Sequence, residues 1–173
     1  MSIGVGNLCN CSILPLAASV ALLFSPLTAR AEDQRVQLPK DYHTEVVELE
    51  DTDQSAFAFS LQAPNADIAQ LLESAGDARV SSNQDDLNGD GRPEIITLLS
   101  GVETCGARDC EVVIISPTGD GYNIAFDAYA SSIALGPKSP SGWRELITNL
   151  NVSDKGEKTG LVWEWKGGKY EIK

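Results

Sequence analysis

From Ala78 onward the chain is written in short apolar runs broken by Gly, Pro, Asn and Asp. Such runs, rich in β-branched and aromatic residues, predict strands at 78–82, 94–99, 111–115, 122–128, 132–135, 144–150, 161–165 and 169–172. Pro117–Gly121 and Lys166-Gly167-Gly168 read as hairpin connections. Just before this region the period changes. Ile68, Leu71 and Leu72 make one apolar helical face, Asn65 is placed as an N-cap, Asp67 lies in the first turn and Gly76 ends the run. The spacing predicts a helix over 66–75. Further back, Glu45–Leu49 and the alternating Ser55–Leu61 are candidate strands.

One pattern occurs twice. Glu94-Ile95-Ile96-Thr97 is matched by Glu145-Leu146-Ile147-Thr148. Each is followed by a second apolar strand and then by a Gly-containing turn with a tyrosine and an isoleucine, Tyr122 with Ile124 and Tyr170 with Ile172. The fold class expected is mainly β (α+β): an antiparallel sheet or sandwich built from two similar three-stranded units, with one N-terminal helix. A closed propeller needs more blades than two.

The N-terminal segment reads differently. Ile13–Leu27 is apolar and uncharged, shorter than the roughly 20 residues of a comfortable membrane span, and is followed by Ala29-Arg30-Ala31. This is the pattern of a signal peptide over 1–31, although no Lys or Arg precedes the apolar stretch. The expected organisation is then an acidic arm over 32–60 with one or two strands, loose at its start, and a single β-rich domain over 61–173 holding the helix 66–75 and an acidic loop at 86–94. A periplasmic or secreted location follows, with no membrane span left after cleavage. The net charge of −12 argues against nucleic acid and anionic membrane surfaces as partners. Cys9 and Cys11 would leave with the peptide, and Cys105 and Cys110 are expected to pair in an exported chain. Four residues between them, rather than two, make a redox-active pair the lesser alternative.

The strongest chemical signal is Asp86-Leu87-Asn88-Gly89-Asp90-Gly91-Arg92-Pro93-Glu94, which spells D-x-N-x-D-G-x-x-E. Calcium takes six to eight oxygen ligands. Side chains at alternating positions of a curled loop can converge on it, here Asp86, Asn88 and Asp90, followed by the backbone carbonyl of Arg92 and the carboxylate of Glu94. The loop departs from an EF-hand, having Thr97 where the bidentate Glu belongs and β rather than helical flanks. The alternative is a hydrogen-bonded Asx turn without an ion.

The loop, the short Cys105–Cys110 segment, the apolar strand after it, Gly142-Trp143-Arg144-Glu145-Leu146 and the closing Gly167-Gly168-Lys169-Tyr170 together resemble small exported bacterial proteins with FG-GAP/VCBS-like calcium loops. The resemblance runs from about Asp85 to Lys173. Glu145 replaces a usual Asp, and the Cys loop is longer than usual. The resemblance implies a fold and Ca2+ more than an activity.

Trp143, Trp163 and Trp165 could form a sugar-stacking face, but alternation in a strand favours a core role. The single histidine, His43, stands in the polar arm with no Cys or second His near it in sequence, and no Ser has a nucleophile-elbow context. Two functions are therefore carried forward. One is an exported, calcium-stabilised, non-enzymatic domain binding a protein or envelope component. The other is a carbohydrate-binding or glycan-hydrolysing protein using acidic residues and the Trp face.

Overall fold

The computed structural model describes residues 34–53, 57 and 66–173. The segment 1–31, expected as a signal peptide, and most of Ser55–Leu61 lie outside them. In chain order the elements are β1 (Val36–Gln37), β2 (Glu45–Val46), β3 (Glu50–Thr52), α1 (Ala66–Ala75), β4 (Arg79–Asp85), β5 (Glu94–Ser100), β6 (Cys110–Pro117), β7 (Tyr122–Ala130), β8 (Ile133–Lys138), β9 (Arg144–Val152), β10 (Lys158–Lys166) and β11 (Lys169–Ile172). The chain is mainly β, with two antiparallel sheets. One has the order β3-β4-β5-β6-β7; the other has the order β1-β10-β9-β8-β2, with β11 also on β10.

Alternation along the strands sorts the apolar side chains into three cores. Ile95, Leu99, Val113 and Ile115 point away from the second sheet and are covered by Ile68, Leu71 and Ala75 of α1, with Phe57. Ile96, Val112, Ile114 and Phe126 face the other way, onto Leu135, Leu146 and Tyr170 of the second sheet. Ile147 and Val162, on the far side of the second sheet, pack with Leu38 and Tyr42 of the N-terminal arm. The layers therefore run helix, first sheet, second sheet, arm.

Each proposed three-stranded unit occupies its own sheet and is longer by one strand, β4 before β5 and β8 before β9. The registers correspond: Gln84 lies opposite Ile95 in one hairpin, and Leu135 opposite Leu146 in the other. The matching residues point the same way along the stack. Ile96 points into the central core, whereas its counterpart Ile147 points outward to the arm. The sheets are thus piled in the same sense, front of one on back of the next, as blades of a propeller are.

The arm corrects the sequence expectation. It is not loose: Val36 pairs with Gly160, Gln37 with Thr159, and Lys158 Nζ donates to the Tyr42 carbonyl and the Thr44 hydroxyl. The strand expected at Glu45–Leu49 is split. β2 joins β8 in the second sheet, β3 joins β4 in the first, and Val47 and Leu49 pack against the central core as the chain crosses between them. Phe57, the one described residue of Ser55–Leu61, is not extended; its N–H donates to the Asp53 carbonyl four residues back, at 2.8 Å. Its ring is buried in the helix-side core.

Arm docking depends on Gly136. A Cβ there would meet Tyr42 Oη at 2.7 Å, Ile147 Cδ1 at 3.0 Å and Glu145 Cβ at 3.1 Å. Gly136→Ala is expected to cost about 1–3 kcal/mol by overpacking. Amide exchange should accelerate at Val36–Leu38, while α1 keeps its protection.

Cys105 and Cys110 form a disulfide across the β5–β6 connection. Because the bridge closes so small a loop, Cys105→Ser with Cys110→Ser should lower urea-unfolding stability by about 2 kcal/mol. The far-ultraviolet spectrum should not change.

Candidate metal loop

The turn from β4 to β5 places the acidic residues. Gly89 and Gly91 adopt φ of 81° and 84°, in the left-handed region that glycine enters without Cβ strain. The chain curls around Asp86, whose carboxylate accepts N–H bonds from Gly89 at 2.7 Å, Asp90 at 3.1 Å and Gly91 at 2.9 Å. Desolvation pushes the Asp86 carboxyl up. These three N–H groups and the positive charge of Lys138 outweigh it, holding the group below the usual carboxylate range.

Glu94 opens β5 and is fully buried. Its Oε2 accepts the Leu87 N–H at 2.8 Å, and its Oε1 accepts the Ser116 hydroxyl at 3.0 Å. Burial raises its pKa. The Leu87 and Ser116 bonds oppose that rise, and the nearby Asp90 charge adds to it. Asn88 links the two ends of the loop. Its Nδ2 lies 3.2 Å from both Asp90 Oδ2 and Glu94 Oε1, while its Oδ1 accepts the Asp90 N–H at 2.7 Å. The Arg92 side chain turns aside to the Thr118 carbonyl, 3.0 Å away, and leans on Asp90 at 3.6 Å.

Asp90, Asn88 and Glu94 are therefore brought together, and Asp86 is tied into the same turn by backbone bonds. Among the described residues no three Asp, Glu, His or Cys side chains close on a single point as a metal cluster does. The donor chemistry nevertheless fits a hard cation. Every side chain in the set carries oxygen, and Asn88, which now bridges two carboxylates, has an amide able to act as donor or as ligand.

Two features of the site escaped the sequence reading. Leu87, the apolar residue inside the acidic loop, has no exposed surface; it plugs the central core, and its carbonyl accepts the Arg144 N–H at 2.8 Å. The loop is thereby fastened to the neighbouring sheet. The second feature is that Gly136–Glu145, spanning the turn from β8 to β9, repeats Asp85–Glu94 residue for residue in length. Gly142, at φ 88°, stands three before Glu145 as Gly91 stands three before Glu94. Ser139 and Ser141 occupy the places of Asn88 and Asp90, their hydroxyls 2.6 Å apart. The spacing of each glycine from its E-[IL]-I-T repeat was the available signal. This second turn lacks the acidic set.

The tryptophans are half-buried against the central core. Trp143 and Trp165 stack on each other, centroids 3.7 Å apart and planes 8° from parallel. Trp163 meets Phe126 edge-on at 5.0 Å and donates Nε1–H to Thr148 Oγ1 at 2.9 Å. His43 is exposed. No described helix is long and apolar enough to cross a membrane. Comparison of the chain with known protein families, curated proteins and solved structures finds no match.

Proposed function

We propose that this chain is an exported, calcium-stabilised, non-enzymatic domain that binds a protein or another envelope component, with Asp86, Asn88, Asp90, the Arg92 carbonyl and Glu94 as the ion's ligands. The observation that carries the proposal is the crowding of Asp90 and Glu94 about Asn88, in a turn whose other end is pinned by Asp86. Bound calcium supplies positive charge to a loop whose carboxylates otherwise repel one another, one of them buried. The ion's part is structural, because the loop ties β4, β5 and the start of β9 together.

A binding role is preferred to glycan chemistry on the packing of the aromatics. Trp143 and Trp165 spend one ring face each on the other. A sugar platform offers its ring faces to solvent.

The test is calorimetric titration of calcium into chelator-treated protein. A saturable heat with near one-to-one stoichiometry, absent with Asp86→Ala, is the expected result. A flat trace with folded wild-type protein would overturn the assignment of the ion.

A further inference from the structure

We propose that the outer face of the second sheet carries a second site, for a primary alkylammonium group, centred on the carboxylate of Glu145. Glu145 is the counterpart of Glu94 in the internal repeat, and it too is buried, at 4% exposure. It points to the arm side of its sheet rather than into the central core. There its Oε2 accepts the hydroxyl of Tyr42, and its Oε1 accepts Lys173 Nζ at 2.5 Å.

A buried carboxylate requires compensating donors, and an ammonium is the strongest it can take. Lys173 supplies one from an incompletely buried position, its side chain 53% exposed against 5% for Glu145. Beside this pair is a cavity of about 240 Å³ whose lining includes the apolar Leu38, Pro39 and Val162 together with Tyr42, Glu145 and Lys173. Its lining suits a short alkyl chain ending in a charged amine: apolar side chains for the methylenes, a buried acid for the head. The net charge of −12 favours a cation over an anion reaching Lys173. An incoming amine replaces Lys173 on Glu145: the exposed lysine ammonium returns to water while the amine keeps the buried carboxylate paired.

The site lies on the opposite side of the second sheet from the 86–94 loop, so its failure would leave the calcium assignment untouched. Wild-type protein and Lys173→Ala, in calcium-containing buffer, are titrated with n-butylammonium, with Nα-acetyl-lysine N-methylamide and with the uncharged Nα-acetyl-norleucine N-methylamide. Amide shifts of Val36–Leu38, Lys40–Tyr42 and Glu145 report binding. Both amines should bind, the norleucine analogue should not, and Lys173→Ala should bind about fivefold more tightly than wild type, because the competing ammonium is gone. Tighter binding of butylammonium points to a free amine, and tighter binding of the blocked lysine points to a lysyl side chain of a partner. Glu145→Gln, which keeps the shape, should abolish binding. No saturable shift with either amine, equal binding of the norleucine analogue, or undiminished binding by Glu145→Gln would overturn the proposal. Should Glu145→Gln fail to fold, the neutral analogue and the Lys173→Ala comparison decide the matter.

Discussion

Leu87→Ala is expected to destabilise the protein by about 3–5 kcal/mol, the largest loss from any single truncation in the loop region. Leu87 is completely buried in the core between the sheets, so truncation removes apolar contacts with both and leaves a void. Its backbone bonds to Glu94 and Arg144 do not depend on the side chain, and hence the loss isolates packing from hydrogen bonding. In chemical denaturation the midpoint should fall with little change in slope. Leu87→Met, which conserves volume, should cost under about 1.5 kcal/mol. A loss below 1 kcal/mol for Leu87→Ala would mean that the loop does not anchor one sheet on the other.

Calcium at a hundredfold excess over its dissociation constant should stabilise the wild-type protein by about 2.7 kcal/mol, provided the unfolded chain does not bind it. For a domain of this size that corresponds to a rise in Tm of roughly 5–10 °C. Asp86→Ala should remove the whole increment. It also strips acceptors from Gly89, Asp90 and Gly91, so the variant should be less stable even in chelator. The two effects separate cleanly: the calcium-dependent increment reports the ion, and the difference in chelator reports the turn. An unchanged Tm for wild-type protein between calcium and EDTA would remove the ion and leave only the turn.

What could be read in the residues was local. Strands β4 to β11 announce themselves through alternation and Gly or Pro punctuation, and α1 through its 3.6-residue period and flanking Asn65 and Gly76. The acidic loop is legible for the same reason, since its turn geometry is set within a few residues. The arm is not. β1 and β2 are two residues each and exist only because β10 and β8 offer them edges. Leu38 and Tyr42 are isolated apolar residues in a polar stretch, and nothing near them in sequence shows the face they cover. Glu145 likewise reads as an ordinary strand charge. Its burial is set by Tyr42 and Lys173, which the fold brings from opposite ends of the described chain. The Trp143–Trp165 stack depends on two different hairpins meeting. Strand alternation tells which residues share a side, not which rings touch.

The pairing of Val36 with Gly160 has a kinetic consequence. The first described strand of the chain is held by one of the last, and the residues that seal the outer side of the second sheet are synthesised before that sheet exists. Closing so long a loop costs entropy that no local contact repays in advance. The hairpins β4–β7 and β8–β11 can zip from their own turns, but the arm must wait for both. Fastening of Leu38 and Tyr42 is therefore expected late in folding, where it completes the surroundings of Glu145.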